Sequence, residues 1–179
     1  MRPIALLGLA LLVLCAGRHP AAAQAPCAAG TLVKLSLTPQ RQHLRVTATF
    51  VPPAGFDPAT QGLSITVAFE PDDDPANVFY TVTVPGTLFT QVPHAIRFVS
   101  HDGGMDGLKF VRLSDVPGSA GLMRIQMARR GTALANTMRD GVVGVVVGSG
   151  DACVRACIPC VGSTPTFSCK STGSGTCGG

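Results

Sequence analysis

The chain has 179 residues, with 14 Lys and Arg against 10 Asp and Glu, 5% aromatic residues, one tyrosine and no tryptophan. Cations dispersed along the sequence without interleaved aromatics exclude a base-stacking platform, so no nucleic-acid partner is expected. The scarcity of Tyr and Trp likewise excludes a flat surface that stacks sugar rings.

Arg2 precedes an apolar run from Ile4 to Ala16, and Ala21-Ala22-Ala23 supplies an Ala-x-Ala site, the layout of a secretory signal over residues 1–23. The run is shorter than the roughly 20 residues of a membrane span and is followed by Arg18, His19 and Pro20, so no transmembrane span is expected. Cys15 ends an apolar Leu12-Val13-Leu14 segment; Leu14 stands where a lipoprotein peptidase needs a small side chain, and no lipid anchor is expected there. Without Arg2 and Arg18 the formal charge falls from +4 to +2. The mature chain from Gln24 is one domain's worth, able to bury about two thirds of its unfolded surface.

From there the apolar segments are short, regularly spaced and bounded by Gly, Pro, Asp or Asn. In 44–50, Leu44, Val46, Ala48 and Phe50 alternate with Arg45, Thr47 and Thr49, and Leu63, Ile65, Val67 and Phe69 repeat the two-residue period of a half-buried strand. Further strands are predicted over 32–37, 78–84, 95–99, 108–113, 122–127 and 142–147, rich in β-branched and aromatic residues. Prolines at 52, 53 and 58 make 51–58 a connection, 70–77 is the loop of a predicted hairpin, and 101–107 is a third loop. The stretch 132–140 is the nearest approach to a helix, short and weakly amphipathic, and Arg129-Arg130 reads as a solvated turn. About eight strands in 24–152 predict an all-β fold, an antiparallel β-sandwich with a barrel as the alternative.

Residues 153–179 are read as an irregular, cysteine-rich Gly/Ser/Thr tail, which from Val161 onward would be disordered alone. Its cysteines rescue it: Cys27, Cys153, Cys157, Cys160, Cys169 and Cys177 are an even set in an exported chain and predict three disulfides, with Cys27 reaching Cys153 or Cys157. Two rival uses of these cysteines fit the sequence less well. A zinc site from Cys157, Cys160, Cys169 and Cys177 needs reduced thiolates and has seven residues in its second cysteine spacing. A redox Cys157-Ile158-Pro159-Cys160 lacks the βαβ setting that lowers a thiol pKa.

Other chemistry is sparse. Gly148-Ser149-Gly150 imitates a dinucleotide fingerprint, but Cys153 takes the third glycine position, so it reads as a strand ending in a turn. No Gly-x-Ser-x-Gly occurs, and His43, His94 and His101 stand in no triad motif. Hard oxygen ligands gather at Asp72, Asp73 and Asp74 and again at Asp102 and Asp106, which makes these the calcium candidates, although neither loop has EF-hand spacing. His94 with His101 is a weaker transition-metal pair. The sequence therefore predicts a secreted or periplasmic structural or interaction module, not an enzyme, with no cofactor and an extracytoplasmic ligand or protein partner. The alternatives are a calcium-assisted binding module and a hydrolase built from loop His and Asp residues.

Overall fold

A computed structural model describes residues 26–38, 42–71, 74–102, 104–130, 140–163, 166–170 and 177, with the side chains of 162, 163, 166–168 and 170 excepted. The predicted signal, Cys15, Asp72, Asp73 and all of the weak helical stretch but Asp140 lie outside the described residues. All eight predicted strands form: β1 (Ala28–Thr38), β2 (His43–Phe50), β3 (Leu63–Phe69), β4 (Val78–Val84), β6 (Ala95–Val99), β7 (Leu108–Asp115), β8 (Met123–Arg130) and β9 (Gly141–Ser149). Four more join them: β5 (Thr90–Val92), β10 (Ala152–Cys160), β11 (Gly162–Ser163) and β12 (Thr166–Lys170).

The strands follow one path, β4-β3-β9-β10-β1-β2-β8-β7-β6-β5, with β12 against β1 and β11 against β12. The path is open and curls, so Val67, Val145 and Ile158 of one half share a core with Leu35, Val46, Val111 and Met127 of the other. The arrangement stands between sandwich and barrel, and its curl buries the apolar face that two-residue alternation gives the strands. β1 joins the halves: Ala28 and Ala29 pair in parallel with Val154 and Arg155 of β10, a bulge follows between Leu32 and Lys34, and Lys34 to Leu37 pair antiparallel with β12. Among the described residues the other ladders are antiparallel.

The expected division at 152/153 falls inside β10, and this segment is a strand in the middle of the sheet instead of irregular tail. Val154, Ala156 and Ile158 alternate inward and are buried, which places Cys153, Arg155 and Cys157 on the outer face. Cysteines at alternate positions hid this apolar period. The β9–β10 connection is the expected strand end and turn: Gly148 and Cys153 are paired, and Gly150 takes φ +57. β3 and β4 form the predicted hairpin. The 51–58 connection runs into α1 (Pro58–Gln61), whose first turn Asp57 caps by accepting from Thr60 N–H at 3.3 Å.

Arg129 corrects the expectation of a solvated turn. It is the penultimate residue of β8, on the inward side, and only 2% exposed. Its guanidinium lies 5.3 Å from the centre of the Tyr80 ring on β4, and Nε donates to the Asp106 carbonyl at 3.0 Å. Burial pushes the Tyr80 hydroxyl up to about 12, against the opposing pull of the Arg129 charge. Arg130, the next residue, is exposed.

Candidate binding face

Strand alternation sorts the charges. On β1, β2, β8, β7 and β6 the inward positions hold Leu35, Val46, Met127, Val111 and Phe98, all buried, so their neighbours point outward. Those outward positions carry Lys34, Arg45, Arg124, Arg112 and Arg97, with Arg130 at one corner, and no Asp or Glu. The register lines them up. Lys34, Thr47, Gln126, Arg112 and Arg97 form one row across five strands, a span of about 19 Å at the usual strand spacing. Arg45, Ala128, Phe110 and Val99 form the next row, and Thr49, Arg124 and Ser114 flank the first on its other side.

Within the face is a cavity of about 300 Å³ lined by Lys34, Arg45, Thr47, Phe110 and Gln126. The short Ala128 separates Arg45 from Phe110 in their row, and Phe110 remains 37% exposed. Two cations, an amide and a hydroxyl thus converge beside an apolar wall. Such a set holds an anionic group and hydrogen-bonds neutral polar groups next to it. Arg155 with Glu70 and His94 with Asp115 pair elsewhere in the molecule.

On the outer face of the other half, covalent and ionic contacts cover Gly144 of β9 and Cys157 of β10. Glu70, with a side chain only 10% exposed, lies over Gly144 and forms a two-point pair with the Arg155 Nη2 and Nε groups. Glu70 Oε1 is also 3.2 Å from Cys157 Sγ. Glu70, Cys157 and Cys177 come within ligand distance of one another, but the two sulfurs are bonded to each other and offer no thiolate to a metal.

The six predicted cysteines pair as Cys27–Cys153, Cys157–Cys177 and Cys160–Cys169. The first is one of the two partners expected for Cys27. Cys160 and Cys169 are both buried and join β10 to β12 through the core, whereas Cys153 and Cys157 point outward. In this pairing Cys157 and Cys160 bond to different partners, so the Cys-x-x-Cys stretch forms no internal disulfide, and none of the four cysteines of the zinc reading is free.

The calcium candidates are engaged locally where they are described. Asp74 caps a short helical turn by accepting from Ala76 N–H at 2.8 Å. Asp102 accepts from Ser100 Oγ–H at 2.8 Å and Gly104 N–H at 3.1 Å; the Gly104 bond first and the Ser100 bond second hold its carboxyl below the usual range. Asp106 has φ +54 and gives its carbonyl to Arg129. No group of three potential ligands among the described residues includes Asp74, Asp102 or Asp106. His94 is in the exposed β5–β6 turn, 3.8 Å from Asp115, and His101 is exposed beyond β6. His43, the first residue of β2, pairs with Arg130 of β8, and its Nε2 accepts from Arg45 Nε at 3.3 Å.

Sequence reading missed the basic face because its members are far apart in the chain. The signal was there in another form: the cations occupy the polar positions of alternating strands, and the acids fall in loops and at strand ends. No protein-family model, curated protein or solved structure matches this chain.

Proposed function

We propose that the chain is an exported interaction module, not an enzyme, whose disulfides hold a binding face rigid in an oxidising compartment. The observation that carries the reading is the cysteine pairing. Three disulfides account for all six cysteines after the predicted signal, and one of them spans 126 residues to fasten the first strand to β10. Such bonds persist outside the reducing cytosol. The secretory pattern of residues 1–23 supports the same compartment, and among the described residues no helix is long and apolar enough to cross a membrane. The surface offered for interaction is the outer face of β1, β2, β8, β7 and β6.

The test is the intact mass of the protein recovered from an exporting host, before and after reduction with thiol alkylation. A chain that begins at Gln24, carries no lipid and is six hydrogens lighter than its reduced form bears the reading out. Retention of the leader together with free thiols overturns it, and a lipid on Cys15 replaces a released module with a tethered one.

A further inference from the structure

We propose that the outer face of β1, β2, β8, β7 and β6 binds a linear acidic polysaccharide, with one acidic sugar seated between Lys34, Arg45, Thr47, Phe110 and Gln126. This rests on the reading of the chain as an exported interaction module and gives that module a ligand class.

Charge selects the first property of the ligand. Lys34, Arg45, Arg97, Arg112 and Arg124 share one face with no carboxylate in an outward position, so the face attracts anions and repels a second copy of itself. Spacing selects the second. Adjacent strands place their side chains about 4.8 Å apart, close to the length of one ring in an extended glycan, so a chain crossing the strands meets a new row position at each sugar. Neutral groups select the third. Thr47 and Gln126 lie between Lys34 and Arg112 in the central row, and Thr49 and Ser114 flank Arg124. Hydroxyls and an amide between cations suit a ligand that alternates acidic groups with hydroxyls.

Two other polyanions fit less well. A bilayer must be reached by side chains that stand clear of the surface, and Phe110 and Val99 are shorter than the Arg residues around them, while the cavity recedes from a plane. Single-stranded nucleic acid needs aromatic platforms, and Phe110 is the one aromatic in an outward position of these five strands. The absence of Trp and Tyr from the face removes sugar stacking as the source of affinity, which leaves ion pairing and hydrogen bonds.

The experiment is titration calorimetry of the oxidised protein with polygalacturonate, its fully methyl-esterified form, phosphatidylglycerol vesicles and a DNA duplex, each at low and high salt. We expect binding to polygalacturonate that falls steeply with salt, at least tenfold weaker binding to the ester, and at least tenfold weakening by Arg45→Gln with Thr47→Val. Lys109→Gln, which removes one cation away from the cavity, is expected to weaken binding less than threefold. Unchanged melting midpoints establish that the variants fold. Tighter binding to vesicles or DNA than to polygalacturonate overturns the assignment, as does equal weakening by the cavity and Lys109 changes, or no binding to any probe. Any of these with a mature, oxidised, exported chain sinks the ligand alone; a chain retained with free thiols sinks the module reading first.

Discussion

The Glu70 carboxylate occupies the space that a β-carbon on residue 144 would fill. The carboxylate cannot swing aside cheaply, because its side chain is only 10% exposed and paired at two points with Arg155. Gly144→Ala is therefore expected to lower stability by about 1–3 kcal/mol, the usual cost of overpacking. Placed on a Glu70→Ala background, the same change should cost about 0.5 kcal/mol or less. Urea unfolding of the four-member cycle checks this, and an equal cost on both backgrounds would show that the collision lies elsewhere.

The disulfides differ in the length of chain they close, 126 residues for Cys27–Cys153 and 20 for Cys157–Cys177. Loop entropy assigns them about 5 and about 3 kcal/mol respectively. Replacing both cysteines of a pair by Ala avoids a stray thiol. The Cys27–Cys153 double variant is expected to unfold at the lower urea concentration, and the reverse order would mean that Cys177 stabilises by covering Glu70 and Gly144 more than by closing a loop.

Tyr80 is the only tyrosine and the chain has no tryptophan, so tyrosinate absorbance reports this one group. Its hydroxyl is expected to titrate near 12 in the folded protein and near 10 once unfolded. The sign for stability follows. Below pH 10 both states carry the neutral phenol and the full contribution is present; it is lost as pH rises from about 10 through about 12, because the unfolded chain ionises first. Tyr80→Phe should flatten stability over that window, and a wild-type titration near 10 in the folded state would refute the buried placement.

The Arg129 guanidinium is beside the Tyr80 ring and favours the tyrosinate, while burial disfavours it. Arg129→Met should therefore move the Tyr80 titration higher still, on the same absorbance readout. A downward movement would mean that Arg129 desolvates the phenol more than its charge assists ionisation.

The parts of the fold that depend on a single segment were readable in advance. Leu44 to Phe50 and Leu63 to Phe69 declare a buried face by alternation alone, and each becomes a strand with that face inward. β10 was not readable because Cys153 and Cys157, at its outward positions, are apolar by count though not by orientation. Arg129 looked solvated because it adjoins Arg130; only the end of β8, where alternation turns it toward Tyr80, makes it an interior residue. The basic face needed the most. Lys34, Arg45, Arg97, Arg112 and Arg124 become neighbours only through the order β1-β2-β8-β7-β6, and pairing order is a property of the assembled sheet that no local pattern carries.

β1 lies between β2 and two strands made more than 100 residues later, β10 and β12. A chain that emerges N-terminus first can pair β1 with β2 at once, but one edge of β1 stays bare until residue 152 and beyond has appeared. Completion therefore waits for more than 100 further residues, and the most non-local contacts set the pace. The early hairpin meanwhile presents a free strand edge, the feature most prone to wrong pairing. The distant strands β10 and β12 are thus the ones that make β1 safe.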